Sequence, residues 1–94
     1  MRIEKDHLGQ EALPDDVYYG ISTARALKLF DVSGYRWQRV FIYSLALVKQ
    51  AALQSCHELG YIEDGKAQAL LAAVKKVKEG EFDHQIVVDP FQGG

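Results

Sequence analysis

The chain has 94 residues, 48% hydrophobic and 26% charged, with a net charge of −2 and a pI near 5.8. That composition is globular, fits one domain, and offers no basic stripe interleaved with aromatics for nucleic acid to bind. No apolar run reaches the roughly 20 residues that cross a bilayer, the N-terminus lacks the apolar segment of a secretion signal, and the lone Cys56 fits a reduced, cytoplasmic setting.

Residues 1–19 read as an extended, irregular lead-in, punctuated by Gly9, Pro14 and Asp15-Asp16. A short helix follows, with Ser22 or Thr23 as N-cap, running to Phe30. The connector from Asp31 to Tyr35 turns at Ser33-Gly34. The stretch from Arg36 to Leu59 then contains neither Pro nor Gly and predicts a helix of roughly 35 Å. Ser33 is placed to cap its start, and Gly60 to end it in the left-handed region. Val40, Leu47, Ala51 and Leu59 recur at helical spacing, with Tyr43 and Val48 beside them. Leu47 is accordingly assigned to the core, where truncation to Ala would cost about 2–5 kcal/mol. Between Val40 and Val48 nearly every position is apolar, so this helix is built to be covered by more protein than 94 residues supply.

After a tight joint at 60–62, Glu63 or Asp64 starts a second helix that continues to Glu79. Its apolar positions Ala67, Leu70, Leu71, Val74 and Val77 keep the same period, and Gly80 stops it. The joint is short enough to make the two helices an antiparallel αα-hairpin. The tail is different in kind. Ile86-Val87-Val88 is β-like, Asp89-Pro90 breaks it, and Gln92-Gly93-Gly94 follows.

Candidate chemistry is sparse. His7, His57 and His84 lie far apart without metal-ligand spacing, and solvated positions explain them better than a metal site, a His84, Asp83 and Asp89 set included. Cys56 and His57 are helix neighbours, pointing roughly 100° apart, which does not make a catalytic dyad. Loop solvation or capping accounts for Asp15-Asp16 and for Glu4 with Asp6. Trp37, Phe41 and Tyr43 read as packing residues, and Lys75, Lys76 and Lys78 as a solvated helix end. Arg25 sits one turn into the short helix, after Gly20, where its guanidinium could grip a carboxylate bidentately. An ion pair that fixes the lead-in is the favoured reading there. The residues alone assemble no catalytic and no metal site.

Three segments in order carry a resemblance. RIEKDHLG, then LPDDVYYGISTARAL, then VDPFQGG after an αα-hairpin are similar to the N-terminal domain of the aspartase/fumarase superfamily, over essentially the whole chain. Tyr18-Tyr19-Gly20 resembles the aspartate ammonia-lyase branch, where fumarases tend to read Leu-Trp-Gly. Gln92-Gly93-Gly94 does likewise, where fumarases read Gln-Thr-Gly. The resemblance implies a mainly α domain of the L-aspartase-like fold: extended lead-in, short helix, long αα-hairpin, short β-like tail. It implies a homotetramer with a shared central bundle, each active site built from three subunits, that converts the small-molecule substrate L-aspartate to fumarate and ammonia without an organic cofactor. Whether an activating Mg²⁺ ion belongs to the parent enzyme is left open.

In that family a serine base lies on a mobile loop far downstream, so none of the family's catalytic residues falls on positions 1–94. Gln92, Gly93 and Gly94 match the lead-in to the first substrate-binding loop, and Thr23 and Arg25 match a T-x-R motif near the active-site entrance. Ser22 stands where the family has His or Gln, and Asp83-His84-Gln85 where it has His-Asp-Gln, which leaves the substrate within the superfamily open. Two alternatives stand beside this reading. One is a class II fumarase acting on malate; the other is a free-standing helical interaction module that dimerises through the long helix.

Overall fold

The computed structural model describes residues 1–91; Gln92, Gly93 and Gly94 lie outside the described residues. The chain is mainly helical, as expected, with strands β1 (Arg2–Asp6) and β2 (Gly9–Leu13) and helices α1 (Ile21–Leu29), α2 (Arg39–Glu58) and α3 (Asp64–Lys78). A 3-10 turn spans Asp83–Gln85. The chain forms two compact units. One holds Met1–Trp37 with residues 85–91 of the tail, and the other holds Gln38–His84.

In the first unit the lead-in is a β-hairpin, not an irregular segment. β1 and β2 pair antiparallel, Arg2 opposite Leu13 and Glu4 opposite Glu11. The two-residue link His7-Leu8 is held by Asp6, whose Oδ1 accepts the Leu8 N–H at 2.8 Å, an Asx-type turn. The pattern of burial explains why periodicity did not reveal these strands. Arg2, Glu4, Asp6 and Glu11 are the half-buried side chains, while Ile3 is 62% exposed. The ribbon therefore turns its charged face inward, against the usual alternation of apolar-in and polar-out. β2 ends on the fully buried Leu13, and α1 packs on both strands.

Neither Ser22 nor Thr23 caps α1. The cap position is Gly20, without a side-chain cap bond, and Glu4 of β1 accepts the Ile21 N–H at 3.0 Å. A carboxylate from a neighbouring strand thus meets the positive end of the helix. Glycine at position 20 makes room for it, since a Cβ there would lie 3.1 Å from Glu4 Oε1.

In the second unit α2 and α3 form the expected αα-hairpin. Both ends of the pairing are bonded. At one end Arg39 of α2 donates to the carbonyls of Val77, at 3.2 Å, and Lys78, the last turn of α3. At the other, His57 Nε2 lies 2.6 Å from Asp64 Oδ1, the first residue of α3. The long helix starts at Arg39, not Arg36, with Gln38 at its N-cap; Ser33 is engaged elsewhere.

The buried positions of the hairpin are Ile42, Ala46, Leu53 and Ala67. This corrects the expected core on α2. Val40, Leu59 and Ala51 are exposed, and Leu47 is 40% exposed, so the cost assigned to Leu47→Ala does not hold. Phe41 and Tyr43 are also more than two-fifths exposed. The stripe at 42, 46 and 53 is helical in period but lies on a different face from the one chosen by pattern.

Gly60 and Gly80 end their helices at φ +81° and +92°, as expected of αL caps. At Gly80 an added Cβ would also sit 3.3 Å from Arg39 Nε and 3.4 Å from Asp83 Oδ2, the two groups that pair at 3.1 Å. Gly80→Ala should cost about 1–2 kcal/mol from backbone strain alone. Gly60→Ala, with open space around its Cβ, should cost less. A comparison of urea midpoints for the two variants checks that order.

The tail also differs from expectation. Ile86-Val87-Val88 pairs with no strand among the described residues. The segment is placed instead by side chains on either side of it. Gln85, 9% exposed, accepts the Tyr18 N–H at 2.8 Å, and Asp89 binds the 33–34 turn. No helix among the described residues is long and apolar enough to cross a membrane.

Candidate functional site

Two clusters in the first unit concentrate its polar chemistry. The first surrounds the inner face of the β-hairpin. Arg25 of α1 donates from Nε and Nη2 to Asp6 at 3.2 and 2.9 Å, and from Nη1 to Glu11 at 3.3 Å. Lys28, one turn further along α1, also meets Glu11. Arg2 donates to Glu4 at 2.8 Å and to the carbonyls of Pro14, Val17 and Tyr19 at 3.0, 2.7 and 2.7 Å. The loop 14–19 has no regular partners for those carbonyls, and one guanidinium supplies them. The geometry of Arg25 is that of the expected ion pair, which fixes the lead-in. The wider role of Arg2 was missed, because backbone carbonyls 12 to 17 residues away leave no signal in side-chain spacing.

These contacts set the protonation of the carboxylates. The Arg25 hydrogen bond lowers the Asp6 pKa. The Lys28 hydrogen bond lowers that of Glu11, and the Arg2 hydrogen bond that of Glu4. All three stay ionised, and the cations beside them offset the repulsion of Glu4 facing Glu11.

The second cluster is centred on Asp89, which is 8% exposed. Its Oδ2 accepts the N–H of Ser33 at 2.6 Å and of Gly34 at 3.1 Å, and its Oδ1 accepts the N–H of Phe91 at 2.9 Å. The Ser33 hydroxyl lies 2.8 and 2.7 Å from the two carboxylate oxygens. Two successive N–H groups on one oxygen is the arrangement in which a backbone turn receives an anion. Burial alone would raise the Asp89 pKa. The donors from Phe91, Ser33 and Gly34 outweigh it and lower the pKa to about 2. Beside this cluster a concavity of about 150 Å³ is lined by Leu27, Phe30, Arg36 and Val87, and Arg36 is tied to the Val87 carbonyl at 3.1 Å.

The four depressed carboxylates give a signed pH prediction. A group whose folded pKa lies below its unfolded value stabilises the fold above the unfolded value, about 4 for Asp and Glu, and loses that contribution as pH falls. The urea midpoint should therefore be flat above about pH 5. It should fall as acid is added, the Asp89 contribution persisting longest because its folded pKa is about 2. A midpoint that rises on acidification would contradict the arrangement.

Other candidates separate from one another. His84 is exposed and is not with Asp89, and among the described residues no group of His, Cys, Asp and Glu could hold a metal ion. Cys56 is half-buried on α2, as expected. Lys75 and Glu79 stand 4.0 Å apart at the solvated end of α3, whereas Lys78 turns to Gln50 at 2.8 Å. Thr23 lies half-buried on α1, two residues before Arg25. Gln92, Gly93 and Gly94, the proposed lead-in to a substrate loop, lie outside the described residues.

No family model matches the chain. Individual relatives do. It is 42% identical over all 94 residues to an aspartate ammonia-lyase from a Bacillus species, and 41% identical over 93 residues to the aspartate ammonia-lyase of Bacillus subtilis. It is 43% identical over 93 residues to a class II fumarate hydratase from Halobacterium salinarum. The chain spans about a fifth of the length of these relatives (20% in each case). Among solved structures it matches a fumarate lyase:delta crystallin from Brucella melitensis with a TM-score of 0.88 at 36% identity, over 100% of this chain and 22% of that one. It matches a class II fumarase from Schistosoma mansoni at 0.85 and 31%, over 97% of this chain and 19% of that one. The hairpin lead-in, the αα-hairpin and the tail are therefore shared along nearly the whole sequence, and the chain belongs to the aspartase/fumarase superfamily of lyases.

Proposed function

We propose that these residues are the N-terminal domain of an aspartate ammonia-lyase, a cytoplasmic homotetramer that eliminates ammonia from L-aspartate to give fumarate. The observation that carries the reading is the roughly two-fifths identity to aspartate ammonia-lyases over the whole chain (42% over 94 residues for the Bacillus enzyme), beside the Tyr18-Tyr19-Gly20 and Gln92-Gly93-Gly94 segments that resemble that branch. The reaction removes a proton from the carbon next to the one that bears the amine, and expels ammonia as the double bond forms. The intermediate carries two negative charges on one carboxyl group, which preorganised hydrogen-bond donors stabilise. The base and most donors belong to the remaining four-fifths of the enzyme. The contribution of this domain is the approach to the substrate loop through Gln92, Gly93 and Gly94, with Thr23 and Arg25 towards the entrance. Assembly into a tetramer accounts for the apolar side chains that α2 leaves exposed, among them Val40, Leu45 and Val48.

A second reading, hydration of fumarate, is favoured by the 43% identity to the Halobacterium fumarate hydratase. The reverse reactions separate the two. The full-length protein is given fumarate with and without ammonium, and the product is identified by chromatography. Aspartate formed only with ammonium is the result expected. Malate formed regardless of ammonium would transfer the assignment to the fumarases.

A further inference from the structure

We propose that Asp89 is a positioning residue for the substrate loop: its carboxylate ties the Ser33-Gly34 turn to the Phe91 turn and so fixes the backbone that leads into Gln92. The proposal rests on the reading of Gln92, Gly93 and Gly94 given above.

Asp89 receives more donors than its own turn requires. A local Asx turn needs only the Phe91 N–H, at 2.9 Å. The remaining three donors, Ser33 N–H, Ser33 Oγ–H and Gly34 N–H, come from 55 or 56 positions earlier in the chain. The carboxylate is thus a junction between two loops and not a cap for one. Ser33 is engaged from both sides, since its Oγ also accepts the Tyr35 N–H at 3.1 Å. Pro90 limits the slack on the other side, as its ring fixes φ and it has no N–H to compete for the carboxylate.

Gln92 follows Asp89 by three positions, a chain length of at most about 10–11 Å. A shift in the Asp89 junction therefore has little backbone in which to dissipate before the substrate loop begins. A misplacement of about 1 Å in a catalytic arrangement can cost about 100-fold in rate. Among the described residues the donors to Asp89 are backbone N–H groups and the Ser33 hydroxyl, so the strength of the junction depends on a full negative charge with two accepting oxygens. Asparagine has the same size, but it would present N–H groups where a backbone N–H or the Ser33 hydroxyl already donates.

The test uses the full-length protein, with steady-state kinetics on L-aspartate and L-malate for wild type, Asp89→Asn and Ser33→Ala. For whichever substrate wild type uses, Asp89→Asn should raise KM at least tenfold and lower kcat/KM by about 100-fold. Ser33→Ala, which removes one donor and keeps the charge, should raise KM by a smaller factor, and it serves if the Asn variant does not fold. A purely structural role would instead lower the active fraction, and so apparent kcat, with KM unchanged. KM within twofold of wild type in both variants overturns the proposal.

Hydrogen–deuterium exchange on the same proteins tests the junction without any activity. Asp89→Asn, or Ser33→Ala in its place, should speed exchange in peptides covering 31–36 and 90–94 together, and unchanged exchange in 31–36 would overturn the tie. If wild type turns over neither substrate while exchange behaves as expected, the functional reading fails and the junction stands.

Discussion

Leu13→Ala should lower the stability of the 94-residue chain by about 2–5 kcal/mol, the range for emptying a buried leucine site. Leu13 is the one large side chain among the described residues with no exposed surface at all. It ends β2, and the chain turns into Pro14 directly after it. Most domains hold only about 5–15 kcal/mol in total, so this loss is large for one methyl-branched side chain. A urea titration followed by circular dichroism gives the midpoint. A change under about 0.5 kcal/mol, typical of surface substitutions, would mean that Leu13 is not where the hairpin is anchored.

Leu53→Ala should cost a similar 2–5 kcal/mol in the second unit, and Leu47→Ala clearly less, on the order of 1 kcal/mol. Both leucines belong to α2 and have the same chemistry, but Leu53 is 9% exposed and Leu47 40%. The pair therefore tests which face of α2 meets α3. Both variants are measured by the same titration, on the 94-residue chain. Equal losses, or a larger one at Leu47, would move the buried stripe off Ile42, Ala46 and Leu53.

That pair also shows where the sequence was legible. Helix ends could be read, since a left-handed cap leaves Gly in the chain at 60 and 80. The αα-hairpin could be read too, from three-and-four spacing and a joint too short for anything but antiparallel return. The buried face of α2 could not. When most positions from Val40 to Val48 are apolar, the period is visible but its phase is not, and Val40 and Leu47 look as good as Ile42 and Ala46.

The β-hairpin was hidden for the opposite reason. Its inward residues Arg2, Glu4, Asp6 and Glu11 are those that a pattern search assigns to solvent, and they are buried only because Arg25, Lys28 and backbone groups meet them. The tail failed similarly, since Ile86-Val87-Val88 has the residues of a strand but no partner to pair with among the described residues. At the site, Arg25 was legible as a carboxylate partner because it follows a glycine elbow on a short helix. In the sequence Asp89 shows as a break before proline and as one member of a weak metal set with Asp83 and His84, not as a junction between loops. Its partners Ser33 and Gly34 are 55 or more positions away, and two of their three donors are backbone N–H groups that carry no sequence signature.

Ammonia elimination is tested most directly by the rate of fumarate formation by the full-length protein from L-aspartate, set beside the rate from L-malate under the same conditions. Fumarate from L-aspartate with an equal amount of ammonia released, and none from L-malate, is the result predicted. Fumarate from L-malate alone, or from neither, would contradict it.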